Sequence, residues 1–164
     1  KLWNWIEDQI RHLLETTLAI IFMDANGHTG KGMMANVAVR RNGTGRDEQN
    51  ERMEVVGPHG GSKENSNGKL MRSTLGKCQM VLPHTWHESS AGPTYFGNKN
   101  EETRVDYIGI PKCCYGRVTN CQRHPGHPAE LQHLKDDTGP TDHIPISLDI
   151  WCAKLRHVKK HKCA

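Results

Sequence analysis

Three short segments carry side chains that could do chemistry together. They are Asp24-Ala25-Asn26 closing an apolar run, Arg104-Val105-Asp106-Tyr107-Ile108 within a later run, and Thr141-Asp142-His143-Ile144-Pro145 opening the last one. Each falls where a predicted strand meets a loop, the place at which α/β enzymes gather reactive groups from distant parts of a chain. Carboxylates, an amide and one imidazole are the set that metal-assisted hydrolysis of a phosphate ester needs.

Hydrophobic periodicity predicts the elements that must position these groups. Leu2, Ile6, Ile10, Leu13 and Leu14 recur at three- and four-residue steps with Trp3 beside them, so an amphipathic helix opens the chain and Thr16-Thr17 ends it. Leu18 to Met23 is apolar on both faces and is expected as a strand in the middle of a covered sheet, with Asp24 at its carboxyl end. Residues 27 to 64 are rich in Gly, Asn and charge. Only Val37-Ala38-Val39 is patterned there, so the stretch reads as a loosely packed or disordered loop insertion.

Asn65-Ser66-Asn67 suits a helix cap, followed by an apolar face of Leu70, Met71, Leu75 and Cys78. Met80-Val81-Leu82 and Thr94-Tyr95-Phe96 read as short strands, and Val118 to Gln122 as another. In the strand Arg104 to Ile110, alternation sets Asp106 on the side of Ile108 and Ile110. A carboxylate on an apolar face needs a partner, so Asp106 is either functional or half of a buried ion pair. In the last strand Ile144, Ile146, Leu148 and Ile150 face one way, and Pro145 is tolerable near the start.

The 164 residues suit one domain, and an apolar fraction of 35% with two Phe and three Tyr implies long loops. Twenty-two bases against 18 acids leave +4, too mild for a general polyanion binder. Lys154, Arg156, Lys159, Lys160 and Lys162 concentrate in a tail over 153–164, read either as solvated or as a contact with nucleic-acid backbone. The longest apolar run is far short of a membrane span and no secretory signal opens the chain. Six cysteines lack a paired CxxC spacing. No membrane partner, reduced thiols and an intracellular location, nuclear or cytoplasmic, are therefore expected. Lys1 in place of Met suggests a fragment or a processed piece.

In their order and context the motifs resemble the second half of the endonuclease/exonuclease/phosphatase superfamily. This group contains pancreatic DNase, exonuclease III-type AP endonucleases and retrotransposon endonucleases. The matching features are Asp24-x-Asn26 after a hydrophobic strand, Arg104-x-Asp106-Tyr107-Ile108, and Asp142-His143-x-Pro145. Between them Gly57-x-His59-Gly60, Asn65-x-Asn67-Gly68-x-Leu70 and Thr85-Trp86 are most similar to the retrotransposon-type, endonuclease-like members. The resemblance spans residues 1–152.

That resemblance implies an α/β fold, the C-terminal half of a two-sheet DNase I-like sandwich, and Mg²⁺- or Mn²⁺-dependent cleavage of phosphodiesters, with DNA the foremost nucleic-acid partner. It implies that Asp24 orients or activates the attacking water and that Asn26 hydrogen-bonds the scissile phosphate. Asp142 would help hold the cation, a role suited to a hard oxygen donor. His143 would contact phosphate oxygens, its imidazole fixed by Asp106. Tyr95 lies where relatives place an aromatic near the substrate, core packing being the other reading of it. RNA, inositol phosphate and sphingolipid are substrates of the same catalytic centre elsewhere in the superfamily.

Two departures stand out. Thr141 replaces the usual Ser, keeping the hydroxyl. The family's first-half Asn and metal-binding Glu come from strands that would precede the opening helix, and Glu7 and Glu15 on that helix are no substitute. The isolated chain is thus expected to be incomplete, weakly active and poorly soluble, with half of a sandwich face exposed. The alternative is an inactive, truncated remnant of a retrotransposon reading frame.

Two rival motifs are weaker. Ala25 to Gly32 approaches a phosphate-binding Gly-rich loop, but Gly32 stands where a Ser or Thr must follow Lys31. Cys121, His124 and His127 could be drawn as a zinc site, but prolines separate the histidines and a second spaced pair is missing.

Overall fold

A computed structural model describes residues 1–13, 17–32, 54–61, 63–97, 102–125 and 143–152. Strand β5 (Asp106–Pro111) is the element on which the rest is organised. It lies between β1 (Ile21–Asp24) and β2 (Met80–Val81), antiparallel to both. Its alternation divides the core in two, because successive side chains of a strand point to opposite faces. Tyr107 packs with Trp3, Met71, Leu75 and Met80, on the side of helices α1 (Leu2–Arg11) and α2 (Ser66–Lys77). Ile108 and Ile110 join Val81, Cys114 and the side chains Ile146, Leu148 and Ile150 of β7 (Ile146–Ile150). Strand β6 (Val118–Arg123) pairs antiparallel with β7, and β3 (Tyr95–Phe96) with β4 (Glu102–Thr103). Helices and antiparallel sheets together give a mixed α/β chain. No helix among the described residues is long and apolar enough to cross a membrane.

The helices start where the sequence puts them, but α1 stops at Arg11, short of the expected Thr16-Thr17, and their buried faces are turned. Trp3 is the buried residue of α1, with Ile6 and Ile10 half-buried, while Leu2 and Leu13 are exposed. The indole nitrogen of Trp3 donates to Asn67 Oδ1 at 2.7 Å, which turns α1 so that its tryptophan faces α2. Glu7 reinforces the contact, bonding Arg11 on its own helix and Lys77 on α2 at 3.1 Å. On α2, Met71 and Leu75 are fully buried and Leu70 is exposed. Each such buried side chain contributes about 1.5–3 kcal/mol of transfer free energy.

The apolar run before Asp24 is corrected more substantially. Only Ile21–Asp24 is strand, it lies at the edge of its sheet, and Phe22 is 72% exposed. Leu18 and Ile20 are exposed as well. The run is apolar on both faces, yet among the described residues only its Ile21 and Met23 side is packed, against the helix-side core. Strands are also shorter than expected: Arg104 and Val105 precede β5, Leu82 leads into a 3-10 turn, and Thr94 precedes β3.

The two ends of the 27–64 stretch are tightly packed, contrary to the expected looseness. Val55, Val56 and Thr29 are buried, and Leu82 N donates to Val55 O at 2.9 Å. A Cβ on Gly60 would overlap the Gly30 carbonyl oxygen, so backbone meets backbone there. Residues 33–53, including Val37-Ala38-Val39, lie outside the described residues, as do Leu14, Glu15, Thr16 and the tail 153–164.

His84 joins the second core to β7. Fully buried in the 3-10 turn Pro83–Thr85, it donates from Nε2 to Ser147 O at 2.8 Å, and its Nδ1 has no hydrogen-bond partner among the described residues. Burial pushes its pKa down to about 4, only partly opposed by the Ser147 carbonyl. The folded chain therefore holds His84 neutral while the unfolded chain, at about 6.5, takes up a proton first. Its contribution to stability is complete above the unfolded pKa and declines as pH falls from about 6.5 towards 4. Urea midpoints should therefore drop over that window in the wild type, and His84→Gln should flatten the decline.

Candidate functional site

Three of the residues singled out from sequence converge where β1 and β5 begin their pairing. Asp24 lies directly opposite Asp106 in the antiparallel register, so both carboxylates emerge on the Ile108 side of the sheet. His143 approaches from the segment entering β7. Its Nδ1 donates to Asp106 Oδ2 at 2.9 Å, with 32% of the imidazole and 21% of the carboxylate exposed. Ligand atoms of Asp24, Asp106 and His143 all lie within 4.8 Å of one another. A shallow groove of about 320 Å³ leads from the two aspartates along Phe22, Ile108 and Ile146.

Local chemistry explains the Asp24-Ala25-Asn26 turn. Asp24 Oδ1 accepts from Asn26 N at 3.1 Å, an aspartate turn. Asn26 sits at φ +43°, the left-handed region that Asn tolerates better than most residues. It is exposed beside the cluster, and its backbone thereby fixes the Asp24 carboxylate. The turn is held from behind by the Asn65-x-Asn67 motif. Asn65 Oδ1 caps α2 by accepting from Gly68 N at 2.8 Å and also accepts from His28 N at 3.0 Å. Asn67 donates to the Ala25 carbonyl while accepting from Trp3. The Tyr107 hydroxyl, buried among these groups, lies 2.9 Å from both the Gly27 and the Arg104 carbonyl oxygens and shares one proton between them.

Thr94 is the site residue that sequence reasoning missed. Fully buried, its Oγ1 accepts from the amides of Val105 and Asp106 at 3.1 and 3.0 Å. Its carbonyl accepts from Ile144 N at 2.7 Å. One residue thus ties the start of β5, which carries Asp106, to the segment that carries His143. Its only sequence signal was a threonine at the head of a short aromatic strand. Tyr95, next along, bridges to His143 and stacks edge-on against it, ring centroids 5.1 Å apart at 60°. Its observed contact is therefore with the imidazole, in which it buttresses the site's wall.

Of the remaining candidates, Asp142 and Thr141 lie outside the described residues, as does His127. Glu7 is engaged by Lys77 and Arg11, which hold its carboxyl below the usual range, and α1 packs on the other side of the sheet from the cluster. Cys121 of the zinc reading is buried in β6, where burial pushes its thiol up to about 12. His124 is bonded to Ser147 Oγ at 2.8 Å. The glycines of the 25–32 turn serve close packing, since a Cβ on Gly32 would overlap the Val56 carbonyl. Cys78, Cys113, Cys114, Cys121 and Cys152 are free thiols.

Two carboxylates in direct cross-strand register repel each other, so a cationic group has reason to sit between them. His143 supplies one candidate, and a divalent cation would supply another. The carboxylate oxygens suit a hard ion, while Asp106 takes up Nδ1, one of the two imidazole nitrogens. Comparison with protein-family models, with curated proteins and with solved structures finds no match for this chain.

Proposed function

We propose that this chain is a divalent-metal-dependent phosphodiester hydrolase of the endonuclease/exonuclease/phosphatase type, with DNA as the foremost substrate. The observation that supports it is the meeting of Asp24, Asp106 and His143 within 4.8 Å, from three distant stretches of sequence. Chance pairing of two acids in register would be unfavourable, whereas a reaction centre uses such a pair.

In this reading Asp24, its carboxylate fixed by the Asn26 amide, orients the attacking water. Asn26, exposed at the turn, offers its side-chain amide to the scissile phosphate. Asp106 holds the His143 ring through Nδ1 at one angle, and the imidazolium stabilises negative charge on the phosphate oxygens as it grows. Asp142, which lies outside the described residues, is the carboxylate that would hold Mg²⁺ or Mn²⁺. When bound, such an ion supplies Lewis-acid polarisation of the phosphate and charge neutralisation. Leu18, Ile20 and Phe22 form the surface that the other half of a DNase I-like sandwich would cover. The free thiols fit a reducing, intracellular setting.

The test is nicking of supercoiled plasmid, with abasic-site duplex and inositol phosphates assayed in parallel. Slow nicking with Mg²⁺ or Mn²⁺, abolished by EDTA and restored by excess metal, is expected. Nicking that survives EDTA, or none on any of these esters, would remove the proposal. The second outcome would leave an inactive remnant of a mobile element as the better reading, to which the exposed Phe22 edge also conforms.

A further inference from the structure

A second concavity, sharing no lining residue with the carboxylate–imidazole cluster, has the opposite electrostatic character. It measures about 510 Å³ and is lined by His28, Lys31, His59, Lys63 and Arg104, with Glu102 the one carboxylate among the described lining residues. Three permanent cations thus face one anion. Lys31 and Lys63 are exposed, whereas Arg104 is only 4% exposed.

The hydrogen bonding of Arg104 is incomplete in an informative way. Nε donates to Gly92 O at 3.0 Å and Nη2 donates to Ser90 O, both neutral acceptors. Nη1 is buried and has no hydrogen-bond partner among the described residues. Removing a guanidinium from water costs several kcal/mol unless an anion or full hydrogen bonding offsets it. Two carbonyls and the neighbouring Asp106 charge offset only part of it, and burial still pushes the guanidinium below its ordinary value. An anion in the cleft that Arg104 lines would offset more of that charge.

The donors also select the kind of anion. Guanidinium, two ammonium groups and two imidazoles, from His28 and Lys31, from His59 and Lys63, and from Arg104, line one volume. A tetrahedral anion with several acceptor oxygens uses such a set, and Arg is the side chain best matched to phosphate. The walls are held by backbone packing of Gly60 on Gly30, so the cleft is formed before any ligand arrives. We infer that this cleft is a binding site for a phosphate group, separate from the Asp24–Asp106–His143 cluster.

Arg104→Ala would also cut the bonds to Ser90 and Gly92, so the exposed lysines carry the test. The ¹⁵N-labelled full chain is titrated with inorganic phosphate in the presence of EDTA, following the Arg104 Nε–H resonance, with chloride at matched ionic strength as control. Metal-dependent cleavage plays no part in this readout, so it succeeds or fails independently of the hydrolase proposal. A saturable shift with phosphate alone is expected, weakened roughly tenfold or more by Lys31→Glu with Lys63→Glu, whose circular dichroism should match the wild type. An equal response to chloride, or unchanged phosphate affinity in the double variant, would overturn the inference. Competition by 5′-phosphorylated and 5′-hydroxyl dinucleotides then identifies the source. Displacement by the phosphorylated one alone supports a terminal phosphate, equal displacement by both supports a backbone phosphodiester, and displacement by neither supports free phosphate as the ligand.

Discussion

His143→Ala should lower metal-dependent phosphodiester cleavage by about 10²–10⁴-fold, the usual range for a positioned acid–base side chain. The fold should survive the change. The imidazole is about one-third exposed, and it touches the Asp106 carboxylate and the edge of Tyr95 at the rim of the sheet, outside both cores. Circular dichroism and the urea midpoint should therefore stay close to wild type while plasmid nicking vanishes. Asp106→Asn offers the sharper reading, because Asp106 acts through His143. If Asp106 positions the ring, the variant should shift the pH profile of cleavage as well as reduce its maximum. Retained cleavage in His143→Ala would remove the role assigned to this residue.

Thr94→Val should be the most destabilising single change near the site. The substitution keeps the shape and deletes the one oxygen that accepts from two successive amides, Val105 N and Asp106 N. An orphaned buried amide costs about 1–3 kcal/mol, so the pair predicts a loss of roughly 2–6 kcal/mol in urea denaturation. Cleavage should fall even where the protein remains folded, because the start of β5 is released from the segment that carries His143. Thr94→Ser, which keeps the oxygen, should recover both stability and activity to near wild type. If Val and Ser behave alike, the hydroxyl does not position Asp106.

What was legible in the sequence is what depends on short range. The phase of β5 put Asp106 with Ile108 and Ile110, and the structure keeps it there. The Asn65 cap was readable because capping spans three residues. Longer-range pairings left no local mark. Asn67 was visible only as part of a cap, although its partners are Trp3 and the Ala25 carbonyl. The opening helix was therefore turned towards Leu2 when its tryptophan decides the face. Leu18 to Met23 misled for a different reason. Apolar character on both sides of a strand is evenly matched between burial and an unpartnered edge, and Phe22 falls on the edge. Thr94 escaped notice because a threonine that bonds two amides looks, in sequence, like any strand threonine.

The shared proton of Tyr107 has a consequence for how this sequence can vary. By clasping Gly27 and Arg104 at once, the phenol locks the strand that follows into a single frame. Losing or gaining one residue between Tyr107 and Pro111 would swap inside for outside along the rest of its length. With Tyr107 anchored, a change after it would send Ile108 and Ile110 to the helix side and strip the second core of both. Functional descendants of this sequence should therefore tolerate exchanges of side chain within that strand but no change in its length.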